Sequence, residues 1–595
     1  MERLQDYNPL LLYAVGVATL CLFYFLFRGD SEKAVPYNVA PPEQVMSGWK
    51  GEVLQDLSMK VSGSSSIQCY APATGESLGR VNPSTTSSID RAIAKAADAQ
   101  IQWAQTTFAE RRKVLKTMLR FVLENQETIA RVACLDSGKT MVDASLGEIL
   151  VTVEKLRWVI AHGEDSLRNE SRPGNLLMAY KWHEVMWQPL GVVAACVSWN
   201  YPFHNLISPV IASIFAGNAI IVKGSENTAW SSSYFASIAT SALVACGHSS
   251  DIVQSVVCWP SVAEYLTSHP GIAHITFIGS RPVAHHVCAS ASKALTPVCV
   301  ELGGKDPAIV LDDLSNSDFH RVSSILMRGV FQSAGQNCIG IERIIALPNV
   351  YNRLIEQLTP RITALRPGSI LNTSPDDASI DIGACISDAG FSRLESLIAD
   401  AVAQGARLIC GGKRYVHPQH PKGHFFAPTF LVDVTASMKI AQEELFAPVF
   451  TLMRTSSVDE AIAIANSTPY ALGASVYGSS NHDLERVVRE VHAGMVAVND
   501  FAVTYMVQLP FGGVKGSGYG RFAGQEGLRS VCNQKAVTRD RWPWLAKTSI
   551  PGPMDLPLKG EGAGQRAWKM ACGVVWVGYG DLRGKVTGVK NLIGL

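Results

Sequence analysis

Three short stretches of the chain carry residue types that can act on a carbonyl group. The first is ELGGK at 301–305, directly after the apolar run PVCV. A carboxylate at the end of a buried strand, followed by two glycines, sits where α/β sheets open their clefts. A turn with a solvated Glu301 is the plain alternative. The second is GQNC at 335–338. A Cys after a Gly-Gln turn can be a thiolate at a helix start, because helix N-termini lower thiol pKa. Taken alone, Cys338 reads first as a buried structural thiol, since free Cys is among the most buried residue types. The third is WNYPF at 199–203, where Asn200 can offer its amide to a developing oxyanion; alone it is a strand exit with a pre-proline turn.

The elements that would hold these residues are visible as hydrophobic patterns. GVVAACVSW (191–199), AIIVK (219–223), DIVQSVV (251–257), HITFI (274–278) and PAIVL (307–311) read as strands buried on both faces. Their alternation with helical stretches predicts a parallel sheet with crossover helices, an α/β fold. Before them, a capping box at Ser87-x-x-Asp90 predicts a helix with Ile89, Ile93, Ala96, Ala97 and Ile101 on its apolar face. A second helix is expected near 110–124, with Leu115, Met118, Leu119, Val122 and Leu123 in its stripe. No internal repeat of fixed period appears. After about residue 540 the texture changes to aromatic and proline clusters and then ACGVVWVGYG (571–580), which is too short to span a bilayer and reads as an interfacial or docking segment.

Composition narrows the function classes. The 595 residues are 47% hydrophobic and 17% charged, which excludes a disordered chain. Lys and Arg total 52 against 51 Asp and Glu, a net +1, so the basic field of a nucleic-acid binder is absent and no nucleic-acid partner is expected. The 13 cysteines are odd in number and scattered without a C-x-x-C pair, against a disulfide scaffold or a zinc ribbon; no metal site is expected. Leu10 to Phe27, LLLYAVGVATLCLFYFLF, has no charge over eighteen residues. As a helix it would reach about 27 Å, close to a thin bilayer such as that of the endoplasmic reticulum. The acidic Glu2 and Asp6 and the length of the run oppose a cleaved signal peptide. Arg28 and Lys33 after the segment, against Arg3 before it, predict a single-pass membrane protein with its large part in the cytosol.

WNYPF, VKGSE (222–226), FIGS (277–280), ELGGK, GQNC, EELFAPV (443–449) and PFGGVKGSGYGR (510–521), in this order, resemble the aldehyde dehydrogenase superfamily over about residues 65–540. With the N-terminal segment and tail they look like its membrane-anchored fungal and plant branch. The resemblance implies Cys338 as the thiol nucleophile, Asn200 and the Cys338 backbone N–H as oxyanion donors, and Glu301 as the base that activates water. It implies NAD as cofactor. Lys223 and Glu226 would lie on the adenosine ribose, Gly279 and Ser280 on the pyrophosphate, Glu444 and Phe446 on the nicotinamide end, and Trp199 beside them. A carboxylate at 226 would disfavour the 2′-phosphate of NADP. The chain departs from the family pattern at Gly224, Ile278, Ala284 and Ala447, where cofactor affinity is at stake, and Arg281 could compensate with a phosphate contact.

The implied organisation is an N-terminal transmembrane anchor (1–29), a linker (30–64), and a doubly wound NAD-binding domain (65–303, interrupted near 171–190). An α/β catalytic domain (304–515), a return and β oligomerisation arm (516–540) and a tail of unassigned role (541–595) follow. Expected partners are an aldehyde substrate, aliphatic or lipid-derived on account of the anchor, membrane lipid, and further copies of the chain in a homo-dimer or tetramer. Two other functions fit the same residues: an inactive membrane-anchored scaffold that kept the fold, and a dehydrogenase that passes the acyl group of a semialdehyde to coenzyme A.

Overall fold

A computed structural model describes residues 32–371, 380–501 and 506–593. The chain divides into two compact units. One contains the described residues up to Ser166 with Pro189–Cys532; the other contains Leu167–Gln188 with the chain after Asn533.

In the larger unit the expected helices form. α1 spans Thr86–Trp103 and α2 spans Phe108–Glu124, with Ile89, Ile93 and Ala96 of α1 and Leu115, Met118 and Val122 of α2 buried. The predicted faces are too wide: Ala97, Ile101 and Leu123 are exposed and Leu119 is only partly buried, because each lies at the edge of its helix's packed stripe. The cap of α1 differs from the expectation: Thr85 and Ser88 form the capping box, not Ser87 and Asp90. Thr85 has the extended backbone that a cap requires, and any of several hydroxyls in TTSS could have filled that role. α3 (Val151–Ser166) and α4 (Pro202–Ala216) pack together over the first sheet, α4 being buried along almost its whole length.

That sheet is built from β1 (Val192–Cys196), β2 (Ala219–Gly224), β3 (Val253–Val257), β4 (Ile275–Ile278) and β5 (Val298–Glu301), all mutually parallel. Their spatial order is β3-β2-β1-β4-β5, so the winding reverses between β1 and β4. This reversal is the place where a doubly wound sheet opens a crevice at its strand ends. α5 (Arg281–Ala291) follows β4. A second, seven-stranded sheet is formed by β6 (Pro307–Val310), β7 (Arg343–Ala346), β8 (Arg407–Cys410), β9 (Thr429–Val432), β10 (Val449–Arg454), β11 (Gly473–Tyr477) and β12 (Met495–Val498), in the order β8-β9-β10-β7-β6-β11-β12. Only β8 runs antiparallel to its neighbour. The chain then returns as β13 (Gly518–Tyr519), antiparallel to β5, with Gly518 opposite Glu301.

In the smaller unit, Glu170–Arg172, Lys181–Pro189 and Cys532–Asp540 make a three-stranded sheet. The tail folds into α6 (Ala563–Tyr579) and α7 (Leu582–Ile593), packed against each other. ACGVVWVGYG makes up the second half of α6 and its C-terminal cap.

One expectation is corrected. The predicted transmembrane helix, Leu10–Phe27, lies outside the described residues, and among the described residues no helix is long and apolar enough to cross a membrane. The anchor, the single-pass placement in the endoplasmic reticulum, the lipid partner and the lipid-aldehyde substrate drawn from it are withdrawn. An apolar run at a chain end satisfies a length criterion without showing what surrounds it.

Candidate active site

Glu301 is the last residue of β5, and parallel pairing with β4 on one side and antiparallel pairing with β13 on the other fix its backbone. It is 2% exposed and accepts a hydrogen bond from Gly303 N at 3.3 Å. Cys338 lines the same cavity beside this carboxyl. Burial pushes the Glu301 carboxyl up to about 7, against smaller opposing effects of Gly303 and Cys338.

Cys338 does not start a helix. It sits in a tight turn after a short 3-10 segment, Gln332–Gly335, so the expected helix-dipole activation does not apply. Burial, together with the negative charges of Glu301, Asp306 and Glu444, holds the thiol well above its ordinary pKa. At rest Cys338 is therefore a neutral thiol beside the Glu301 carboxyl. Its loop is strained: Ser333 and Ala334 have φ of 54° and 55°, a left-handed conformation costly for residues with a Cβ. At Gly335 the loop passes so close to the next segment that a Cβ would lie 2.1 Å from Ala447 O.

Asn200 follows β1. Its Oδ1 accepts from Ser198 Oγ at 2.7 Å and from Asn205 Nδ2 at 3.2 Å, which aims Nδ2 at the Cys338 loop, where it donates to Gln336 O at 3.2 Å. The loop is anchored from below by a pair that sequence reading did not single out. Lys139 Nζ donates to Glu148 Oε1 at 2.6 Å and to Asn200 O at 2.7 Å, while Glu148 Oε2 accepts from Phe203 N and His204 N at the start of α4. Both side chains are almost wholly buried, at 2% and 0% exposure. Removing one partner strands a buried charge. Lys139→Met is expected to lower unfolding free energy by about 3–5 kcal/mol, measured by denaturant titration.

Trp199, Asn200, Gly279, Ser280, Glu301, Cys338, Glu444 and Phe446 line one cavity of about 240 Å³. The Trp199 and Phe446 rings meet edge to face at 5.5 Å. Glu444 accepts from Gly304 N at 3.2 Å, and burial next to Glu342 and Glu301 raises its carboxyl to about 8. Glu342, itself paired with Lys305 at 2.7 Å, accepts from Leu445 N and Phe446 N and so fixes that segment. A neighbouring cleft of about 590 Å³ runs across the ends of β1, β2 and β4 and contains Lys223, Glu226, Gly279 and Ser280. Lys223 Nζ and Glu226 Oε2 pair at 3.1 Å. All ten residues singled out from the sequence thus border one connected depression.

The departures from the family pattern are absorbed locally. A Cβ at Gly224 would fall 2.5 Å from Ser232 Oγ, so the small residue matches its neighbour. The left-handed backbone falls on Phe446 (φ 54°), and Ala447 does not share it. Ile278 lines the cleft, and Ala284 is buried in α5. Arg281 does not line the cleft; its guanidinium lies against Gly516.

Comparison with known proteins agrees with this architecture. The model of the aldehyde dehydrogenase family matches residues 60–537. An aldehyde dehydrogenase-like protein of Schizosaccharomyces pombe is 52% identical over 529 residues, covering 89% of this chain and 99% of its own. A protein of Mycobacterium avium named succinate-semialdehyde dehydrogenase [NADP(+)] is 32% identical over 472 residues, covering 79% of this chain and 96% of its own. The crystal structure of a Mycobacterium tuberculosis aldehyde dehydrogenase complexed with NAD+ superposes with a TM-score of 0.73 at 30% identity, over 80% of this chain and 95% of that one. The chain belongs to the aldehyde dehydrogenase family, an aldehyde-oxidising oxidoreductase class whose fold binds NAD or NADP.

Proposed function

We propose that the protein oxidises an aldehyde to a carboxylic acid through a covalent Cys338 adduct, with NAD as the preferred cofactor. The observation that carries this reading is the Cys338 thiol and a buried Glu301 carboxyl lining one cavity together with Asn200.

Glu301 accepts the thiol proton as sulfur bonds to the aldehyde carbon. Asn200 Nδ2 and the Cys338 backbone N–H receive the oxyanion of the thiohemiacetal, and a donor already held by Ser198 and Asn205 needs no reorganisation. When bound, the oxidised dinucleotide supplies the acceptor for the hydride lost from that carbon, which becomes a thioester. Glu301, having released its proton to solvent, then draws a proton from water as the water attacks the thioester, and the acid leaves Cys338 as a thiol.

The chain's residues suit a dinucleotide. The cleft lies at the strand ends where the winding reverses, and Ser280 caps α5, whose N-terminal N–H groups favour phosphate. Glu226 can accept both hydroxyls of an adenosine ribose and would repel a 2′-phosphate, which supports NAD over NADP. The buried Glu301 beside the thiol favours hydrolysis over transfer to coenzyme A. A homo-dimer or tetramer belongs to the same reading, because Cys532–Asp540 leaves a nine-residue edge strand able to pair with another copy.

The test is a panel of aldehydes with each nicotinamide cofactor. Reduced nicotinamide should form together with free acid, about tenfold more efficiently with NAD. A folded protein inert toward every aldehyde, and unable to bind either dinucleotide, would leave only the scaffold reading.

A further inference from the structure

A second cavity, about 60 Å³, opens from the reacting pair on the side away from the dinucleotide cleft residues Lys223 and Glu226. Cys338 and Glu301 line it, and its other walls are mainly apolar, including Val151, Leu509, Phe511 and Phe522. One charged group breaks that surface. Lys155, on the second turn of α3, is 5% exposed and lines the same cavity. Its Nζ donates to Ser208 Oγ at 2.7 Å and to Phe522 O at 3.1 Å, both neutral.

Other buried lysines in this chain are treated differently. Lys139 is paired with Glu148 and Lys305 with Glu342. Among the described residues no carboxylate pairs with Lys155, and burial alone draws its ammonium down to about 7. A buried cation without a counter-ion is costly. An ammonium has three donors; among the described residues two are taken. The nearby His204 cannot act as a second cation, because burial, Lys155 and Lys139 hold its ring down at about 3.

We propose that Lys155 is the counter-ion for a carboxylate carried by the substrate, so that the pocket selects short aldehydes bearing an acid at the far end and yields dicarboxylates. This rests on the aldehyde-oxidising reading above. The aldehyde carbon would lie at Cys338 Sγ while the distal carboxylate meets Lys155 Nζ. The site then supplies one charge-assisted hydrogen bond, with apolar walls around the intervening methylenes. Lys155 would act on specificity through binding, with no part in the bond-forming steps.

The experiment compares 4-oxobutanoate with butanal, which matches it in length and lacks the acid, in the full-length protein and in Lys155→Met. The wild-type protein should prefer 4-oxobutanoate in kcat/KM by at least about tenfold, and Lys155→Met should lower that preference by about a hundredfold, mainly through KM. The thioether removes an unpaired buried charge, so the variant should melt no lower than wild type. Independently of any variant, succinate should compete with the aldehyde while butyrate at the same concentration does not. Oxidation of butanal by a wild-type protein that shows no preference for the acid and no competition by succinate overturns the Lys155 assignment alone. An equal loss on both aldehydes in Lys155→Met makes Lys155 structural and also overturns it. Inertness of the wild type toward both aldehydes, with no adduct on Cys338, overturns the oxidation reading beneath it.

Discussion

Cys338→Ser should lose aldehyde oxidation by about 10⁴-fold or more, with dinucleotide binding retained. The argument is chemical. A serine hydroxyl at this position would face the same three carboxylates that hold the thiol well above its ordinary pKa, and it is a poorer nucleophile and far weaker acid. Glu301, at about 7, can take a proton from sulfur in the transition state but is too weak a base to do the same for an alcohol. The fold should survive, since the substitution changes one atom in a partly buried turn. Two measurements separate chemistry from binding: steady-state turnover, and quenching of Trp199 fluorescence by added NAD. Mass spectrometry of the wild-type protein after brief exposure to aldehyde and NAD should find an acyl adduct on Cys338 and on no other cysteine. An adduct elsewhere, or full activity in the serine variant, refutes the assigned nucleophile.

The parts of this site that could be read from the sequence are those that sit where a buried strand stops. Glu301 closes PVCVE, and Asn200 and Gly279 follow apolar runs, so β-sheet topology alone brings them to one crevice. Cys338 could be placed in the site by its motif but not given its electrostatics. A Gly-Gln-Asn-Cys turn suggests a helix start, and only the fold reveals a strained loop facing three carboxylates. Lys139, Glu148 and Lys155 left no trace because charged residues at helical spacing ordinarily mark a solvated face. In VTVEKLRWV nothing distinguishes Lys155 from its neighbour Glu154; the difference arises when Ser208 of α4 and Phe522 of the returning chain close over it. The same limit applies to Leu10–Phe27, where hydropathy measures the segment and is silent about its surroundings.

Glu301→Gln should separate stability from function. Burial raises this carboxyl from 4.5 to about 7 in the folded protein, so folding favours its neutral form. Below about pH 4.5 the group is protonated in both states and costs nothing; as pH rises through 7 the unfolded chain ionises freely while the folded one must hold a buried charge. The loss of stability grows across that window and levels off above it at up to about 3 kcal/mol. Glutamine carries no charge and can still accept from Gly303 N. The variant should therefore melt higher than wild type at pH 8, with the difference vanishing below about pH 4. Activity should move the opposite way. In wild type, kcat/KM should rise about tenfold per pH unit below 7 and flatten above it, as the ionised base appears. In Glu301→Gln that limb should vanish and turnover at pH 8 should fall by about 10²–10⁴-fold. In the proposed mechanism, the ionised carboxylate that the fold tolerates at a cost is the same species that takes the proton from sulfur and from water. A glutamine variant that melts lower at pH 8, or one that keeps the acid limb, would show that some other group sets the proton inventory of this cavity.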